Sequence, residues 1–199
     1  MDLLKFKAYC EQFMSVSSSL SDGWQIIQQN SENQNGFYLK KRMVRASVVK
    51  SQNCQLETEK VEEIENLDYV DPNCKSCTEE TAEFITWEYH IVYSESYEVP
   101  VLYFNCWRND GSILTFEEVL SWSFDESKPQ LLKNRWETLT QQEHPFLGIP
   151  FYLLHPCKTA DFLKAAQKST VNPLVSWLSS FGGAVGLSLH LEYGIKSFS

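Results

Sequence analysis

The spacing of apolar residues changes sharply near residue 20. Five apolar residues recur at steps of three and four: Leu3, Phe6, Cys10, Phe13 and Met14. This spacing predicts an amphipathic helix over 3–19, ended by the turn residues Ser21-Asp22-Gly23. A strand is predicted to begin at Trp24, and Asn35-Gly36 indicates a hairpin turn from which 37–49 returns. The returning strand carries four basic residues: Lys40, Lys41, Arg42 and Arg45.

The strongest strand signal covers residues 84–93. Large apolar residues occupy every second position there: Ile85, Trp87, Tyr89, Ile91 and Tyr93. Ser94-Glu95-Ser96 predicts a turn, and 97–107 the returning strand. Pro100 lacks a backbone N–H, so it predicts an edge position or a bulge in that strand.

Helix and strand signals alternate in the second half of the chain. Thr115 and Glu118 have the spacing of a capping box. Asn172, Pro173 and a following Gly182 are typical of helix ends. The predicted elements are helices over 116–122, 159–168 and 173–181 and strands over 149–154 and 185–193. Hairpins in succession with helices at the ends predict an α+β fold, in which helices pack on an antiparallel sheet.

Charge narrows the range of partners. The 199 residues carry a net charge of −9, which argues against binding to nucleic acid or to an anionic membrane surface. Residues 55–83 hold ten acidic residues against two lysines, so nearly all of the net charge lies there. This acidic segment is interpreted either as a solvated loop or as a docking surface for a basic partner. Neither a signal peptide nor a membrane span is predicted, so we expect a cytosolic protein with six reduced cysteines.

Cys157 is the main candidate for chemistry. It follows a predicted strand and directly precedes a predicted helix, whose N–H groups favour a thiolate. His155 and Lys158 are close in sequence and can add positive potential. The alternative is a small buried side chain at the end of a strand, which is common for free cysteine.

Other chemical motifs are weak. Cys74-Lys75-Ser76-Cys77 is a single pair of cysteines, whereas a structural zinc site needs a second pair, so neither a metal nor a cofactor is expected. His144 and His155, each followed by proline, are read as structural or as supporting groups. The glycines at 182–186 lack the lysine of a phosphate-binding loop.

Four segments resemble a known family: 89–94, 97–104, 141–145 and 151–159. They are similar to the E2-like conjugating enzymes of autophagy. His155-Pro156-Cys157 also occurs in the sibling family of autophagy-related protein three, whereas 97–104 and 141–145 favour autophagy-related protein ten. The resemblance implies a single E2-like domain over 1–199, with an antiparallel sheet, helices packed on it and an added β-hairpin.

The resemblance also implies a reaction and its partners. Such an enzyme takes a ubiquitin-like modifier (autophagy-related protein twelve) from an E1-like activating enzyme (autophagy-related protein seven). It holds the modifier as a thioester, here on Cys157, and passes it to a lysine of autophagy-related protein five. Ubiquitin E2 enzymes stabilise the oxyanion with Asn of a His-Pro-Asn motif, but here Phe146 follows His144-Pro145. Either backbone N–H groups after Cys157 or a polar side chain of the sheet, such as Tyr89 or His90, would have to replace it.

Two alternatives follow from the same residues. A non-catalytic E2-like adaptor would bind a modifier or partner through its sheet edge. A cysteine hydrolase would need a His–carboxylate pair beside Cys157. Within the E2-like interpretation, the hairpin 84–107 either forms part of the surface for the acceptor or is internal to the sheet.

Overall fold

The sheet is antiparallel, and helices cover one of its sides. The structure is a computed structural model that describes residues 1–31, 34–48, 82–123, 139–166 and 171–196. Within these ranges six strands lie in the order β1-β2-β3-β4-β6-β5. The strands are β1 (Trp24–Ser31), β2 (Gln34–Val48), β3 (Ala82–Ser94), β4 (Val99–Arg108), β5 (Leu139–Glu143) and β6 (Pro150–Leu154). The α+β class is confirmed, and the architecture agrees with an E2-like fold.

One helix precedes the strands, one lies between β4 and β5, and three follow β6. They are α1 (Leu3–Leu20), α2 (Phe116–Ser123), α3 (Thr159–Ala166), α4 (Pro173–Phe181) and α5 (Glu192–Lys196). Short 3-10 turns cover Pro156–Lys158 and Gly182–Val185. Among the described residues, no helix is long and apolar enough to cross a membrane.

Helix α1 forms where the apolar spacing predicts it. The Asp2 carboxylate accepts a hydrogen bond from the Lys5 N–H and caps the first turn. The buried stripe consists of Phe6, Cys10, Phe13, Val16 and Ser17. The Phe13 ring packs edge-on against Trp24 of β1, with ring centroids 5.3 Å apart. We call this covered side of the sheet the helix side.

The other helix signals are also confirmed. The Thr115 N–H donates to Oε2 of Glu118 at 2.8 Å, as in a capping box. Asn172 accepts from the Leu174 N–H at 2.9 Å and caps α4. The Asn172 amide also donates to the Tyr9 carbonyl at 2.9 Å, which ties α4 to α1 on the helix side.

The predicted turn at Asn35-Gly36 is wrong. Both residues lie inside β2 and pair with Asn30 and Gln29 of β1, while Ser31 pairs with Gln34. The two strands therefore continue past the Asn-Gly signal, and residues 32–33 between them lie outside the described ranges. Pairing along the full length of β1 outweighs the local preference for a turn.

Strand β4 combines an internal position with a partly open flank. It pairs with β3 from Val99 to Arg108, so it does not lie at the edge of the sheet. On its other flank, the described residues pair with β6 only at Tyr103 and Phe104. The edge position or bulge predicted from Pro100 is therefore wrong, although the ladder of β4 with β6 is incomplete among the described residues. Pro100 itself pairs with Tyr93 of β3.

The predicted C-terminal strand over 185–193 is wrong. Gly186 adopts a left-handed conformation after the 3-10 turn, and the Leu187 N–H donates to the Gly182 carbonyl. The chain then enters α5, where Tyr193 stacks on Phe13 with centroids 4.5 Å apart. The apolar residues whose alternation predicted a strand therefore pack against α1 instead.

The acidic segment falls largely outside the described residues, as do Cys54, Cys74 and Cys77. Its last residue, Glu83, lies within β3 and forms an ion pair with Arg108 at 3.1 Å. Of the described cysteines, Cys10 and Cys106 are buried and Cys157 is exposed.

Candidate active site

Cys157 lies at the junction that the sequence predicts. Strand β6 ends at Leu154, and Cys157 is the middle residue of the 3-10 turn that leads directly into α3. Its side chain is exposed, unlike Cys10 and Cys106. Burial raises the pKa of both buried thiols well above the ordinary value. Of the described cysteines, only Cys157 is therefore open to a large electrophile.

His155 holds the backbone at Cys157. The Cys157 N–H donates to Nδ1 of His155 at 3.2 Å, so His155 caps the 3-10 turn. Since Nδ1 accepts this bond, a neutral His155 ring carries its proton on Nε2. The ring is half-buried and meets Tyr97 of the β3–β4 turn edge-on, with centroids 6.1 Å apart. His155 thus connects the backbone at Cys157 to a neighbouring turn.

A groove leads to this junction. It consists of two adjoining cavities of about 490 and 320 Å³ that share Ser94, Ser96, Val101, Tyr103 and Gln142. One flank is the β3–β4 turn, and the other is β5 with the turn that follows it. The groove ends at His155 and Pro156, immediately before Cys157. An extended peptide in this groove would contact the two residues that precede Cys157.

The turn between β5 and β6 folds over the side of the sheet opposite the helices. We call this the turn side. On it, His90 of β3 pairs with Tyr103 of β4, which in turn pairs with Leu153 of β6. The His144 side chain of the turn is fully buried and lies 3.0 Å from His90, measured from Nε2 to Nδ1.

The hydrogen bonds fix the tautomers of this histidine pair, His90 and His144. Nδ1 of His144 accepts from the Phe146 N–H at 3.3 Å, so the neutral ring carries its proton on Nε2. That proton is donated to Nδ1 of His90. The proton of His90 therefore lies on Nε2, which donates to Oε1 of Glu88 at 3.0 Å. Lys40 donates to Oε2 of Glu88 at 2.8 Å and completes the chain.

The electrostatics agree with a neutral His144 ring close to an ionised Glu88. Burial, and next the proximity of His90, lower the pKa of His144 to about 3. Burial acts to raise the pKa of Glu88, but hydrogen bonds from His90 and Lys40 outweigh it and bring the pKa to about 2. Near neutral pH Glu88 is therefore ionised and His144 is neutral.

Tyr89 and His90, the sheet residues considered as oxyanion donors, are both fully buried. Tyr89 lies on the helix side, where its hydroxyl donates to the Val185 carbonyl at 2.8 Å. His90 lies on the turn side with both ring nitrogens engaged. The structure therefore brings His155, but neither of these two rings, to the exposed junction at Cys157.

Phe146 stands where ubiquitin E2 enzymes carry the asparagine. Its ring stacks on Tyr38 of β2, with centroids 5.7 Å apart and an interplanar angle of 10°. The turn thus uses this position for packing rather than for a polar side chain.

Two features of the site were missed by the sequence analysis. The first is the pairing of His90 with His144. Its only signal in the sequence was a polar residue in or near an apolar strand, once at each histidine. The second is Tyr97, a turn residue that the structure places against His155. Within the described ranges, no group of three His, Cys, Asp or Glu side chains is arranged to hold a metal ion.

Comparison with known proteins gives a consistent result. A family profile described as "Autophagocytosis associated protein, active-site domain" matches residues 5–192. The ubiquitin-like-conjugating enzyme ATG10 of Homo sapiens is 37% identical over 204 residues, which cover 94% of this chain and 90% of that protein. The Arabidopsis thaliana enzyme of the same name is 39% identical over 115 residues, covering 53% of this chain and 51% of that protein. Its Dictyostelium discoideum counterpart is 35% identical over 126 residues, covering 54% of each chain.

Proposed function

Because this chain belongs to the ATG10 family of ubiquitin-like-conjugating enzymes, we propose that it carries its modifier as a thioester on Cys157. It is an E2-like conjugating enzyme of autophagy. The observation that supports Cys157 as the nucleophile is its exposure at the end of the groove, on a turn whose backbone is held by His155. A buried thiol at this position would instead have favoured an adaptor without catalysis.

The proposed reaction consists of two acyl transfers. First, the Cys157 thiolate attacks the thioester carbonyl of the modifier on the activating enzyme. A new carbon–sulfur bond forms, the old one breaks, and the activating enzyme's cysteine leaves as a thiolate. Such an exchange is nearly balanced in energy, so a thiol pKa near ambient pH suits it.

The second transfer makes the final bond. The neutral amine of an acceptor lysine attacks the carbonyl, the Cys157 sulfur leaves as a thiolate, and the nitrogen releases its proton to solvent. The product is an amide, which is more stable than the thioester. The enzyme's contribution is mainly orientation of the two groups and removal of water.

We assign the groove to the extended C-terminal tail of the modifier. It is open, it runs between two turns, and it ends at His155 and Pro156. Its length along the β3–β4 turn, with backbone groups of the open flank of β4 nearby, suits an extended chain. We assign His155 a positioning role, since it orients the Cys157 backbone through Nδ1.

The partners we propose are those that the family resemblance implies. They are autophagy-related protein seven as the activating enzyme, protein twelve as the modifier and protein five as the acceptor. We place the reaction in the cytosol, where a free thiol at Cys157 stays reduced.

The test is a loading assay. The chain is incubated with the activating enzyme, ATP and the modifier, and the products are separated with and without reductant. We expect an adduct that disappears with reductant and is absent from Cys157→Ala. A full-strength adduct on Cys157→Ala would reject the assignment, and no adduct on the unaltered chain would favour the adaptor.

A further inference from the structure

The histidine pair takes no direct part in acyl transfer, yet it is the most elaborate buried polar network among the described residues. Both rings are fully buried, and Glu88 is 9% exposed. Burying four hydrogen-bonding groups in a sheet costs stability unless every donor and acceptor is matched. Here one arrangement of protons matches them all, and this arrangement connects β2, β3 and the β5–β6 turn.

His144 is the residue on which the β5–β6 turn is built. Its N–H donates to the Ile149 carbonyl at 2.8 Å, and its carbonyl accepts from the Gly148 N–H at 3.0 Å. Its ring accepts from the Phe146 N–H at 3.3 Å. The His144 backbone therefore closes the turn, and its ring holds the Phe146 N–H within it.

The same turn borders the groove. Pro145 and Phe146 line it, together with Gln142 at the end of β5. Since the Phe146 backbone is held by the His144 ring, a rotation of that ring displaces one flank of the groove. Small displacements of groups that orient a substrate reduce rates strongly.

We propose that His90 is a positioning residue for transfer from Cys157: by accepting the Nε2 proton of His144, it holds the β5–β6 turn in the conformation that shapes the groove. The inference rests on the proposed function and extends it to a buried residue remote from the thiol. His90 is oriented in turn by Glu88, whose carboxylate is held by Lys40.

The described surroundings give His90 two hydrogen-bond partners, Glu88 and His144. On the turn side the neighbouring ionisable groups are Lys40 and Tyr38 of β2, Glu88 of β3, Tyr103 of β4 and His144 itself. The Tyr38 ring lies tilted by 41° against the His90 ring, with centroids 4.8 Å apart, and the Tyr103 ring lies 5.1 Å from that of His144. The tyrosine rings contact the histidine pair by packing, whereas the hydrogen bond between His90 and His144 is directional.

Two conservative variants separate positioning from general stability. Asn carries its amide at the δ position, so His90→Asn retains an acceptor where Nδ1 faces His144. Gln carries its amide one atom further, so His90→Gln retains a donor for Glu88 but loses the acceptor for His144. Each variant removes one buried hydrogen bond, and only the second releases the turn.

The experiment measures discharge of the Cys157 thioester to free lysine in a single turnover, and in parallel hydrogen exchange at the Phe146 amide. We expect His90→Gln to discharge about tenfold more slowly than the unaltered chain. We expect His90→Asn to stay within about threefold, because the turn keeps its anchor. Exchange at Phe146 should be faster in His90→Gln than in His90→Asn.

The matched control is Tyr193→Phe. It removes a buried hydroxyl that donates to Asp22 at 2.8 Å on the helix side, far from the turn. It should change neither the rate of thioester discharge nor hydrogen exchange at the Phe146 amide. This should hold even if its unfolding midpoint falls as far as those of the His90 variants.

Equal discharge rates for the two His90 variants would overturn the inference, as would an unaltered rate in His90→Gln. If the unaltered chain forms no thioester, the proposed function fails instead. In that case equal Phe146 exchange in the two variants would overturn the inference as well, because His90 would then not hold the turn.

Discussion

The backbone N–H of Cys157 and Nδ1 of His155 are 3.2 Å apart, so the side chain two residues before the thiol caps the turn that carries it. His155→Ala removes this acceptor, and loss of a cap costs about 1 kcal/mol locally. We expect thioester formation to slow about tenfold, because the thiol is no longer held at the end of the groove.

His155→Asn is the matched variant, since its Oδ1 can accept the same N–H. It should load within a few-fold of the unaltered chain. Initial rates of adduct formation on a non-reducing gel measure both. Equal impairment in the two variants would show that the imidazole contributes more than the cap.

Cys157→Ser should convert the thioester into an oxygen ester. The hydroxyl can accept the acyl group but is a poorer leaving group in the reverse step, so the adduct accumulates. We expect a band that resists reductant and is cleaved by hydroxylamine. A Cys157→Ser adduct that persists in hydroxylamine would indicate attachment elsewhere, through an amide.

The β3–β4 turn should matter more for transfer to the acceptor than for loading. Tyr97 is 51% exposed and contacts His155, and Glu95 lines the groove. We expect Tyr97→Ala and Glu95→Lys to slow transfer to the acceptor protein more than they slow loading, because the turn also borders the groove assigned to the modifier tail. This follows if the turn forms part of the acceptor surface.

Ile113→Ser is a suitable control, because Ile113 is 48% exposed but precedes α2, away from the groove. It should leave both steps unchanged. If loading and transfer fall together in the turn variants, or neither changes, the hairpin is structural and the acceptor docks elsewhere.

The histidine pair should make the fold sensitive to acid. Burial lowers the pKa of His144 from 6.5 to about 3. Between these two pH values the unfolded chain therefore binds a proton at His144 and the folded chain does not. Stability conferred by the neutral ring is therefore complete above about pH 6.5 and declines as the pH falls towards 3, by up to about 1.4 kcal/mol per pH unit.

Glu88 acts in the same direction at lower pH. Its pKa is lowered from 4.5 to about 2, so its contribution is lost as the pH falls below 4.5. Urea unfolding between pH 7 and 4 measures the combined slope. His144→Gln, which cannot titrate, should flatten the upper part of the curve; an unchanged slope between pH 6.5 and 5 would contradict the assignment.

Thiol reactivity should differ sharply between the described cysteines. Cys157 is exposed, whereas burial raises the pKa of Cys10 and Cys106. We expect iodoacetamide to modify Cys157 faster than either buried thiol by on the order of a hundredfold or more. Mass spectrometry of peptides after timed alkylation gives the rates. Replacing Cys10 or Cys106 by Ala should leave conjugation intact once the folded fraction is taken into account.

Local signals were sufficient for much of this molecule. The apolar stripe of α1, the capping box before α2 and the Asn-Pro start of α4 each depend on contacts within a few residues, so spacing predicts them. The position of Cys157 between a strand and a helix is local in the same sense. The resemblance of 151–159 to a family added the chemical role proposed for it.

Long-range packing decided the rest. Asn35-Gly36 has a strong turn preference, but pairing along β1 outweighs it. Apolar alternation over 185–193 resembles a strand, but Tyr193 gains more by stacking on Phe13 of α1. The β1–β2 ladder extends to Trp24 and Lys41, which are 17 positions apart, and Phe13 is 180 positions from Tyr193, so neither can be inferred from local spacing.

The sequence by itself determined the class of fold, most of the helices and the nucleophile candidate. Only the tertiary structure decided that His90 meets His144 rather than the thiol, and that Tyr97 reaches His155. These pairs join residues that are 54 and 58 positions apart, on strands and turns whose register is fixed by the whole sheet. A side chain's residue type limits the bonds it can make, but its partner is chosen by the packing that brings the two together.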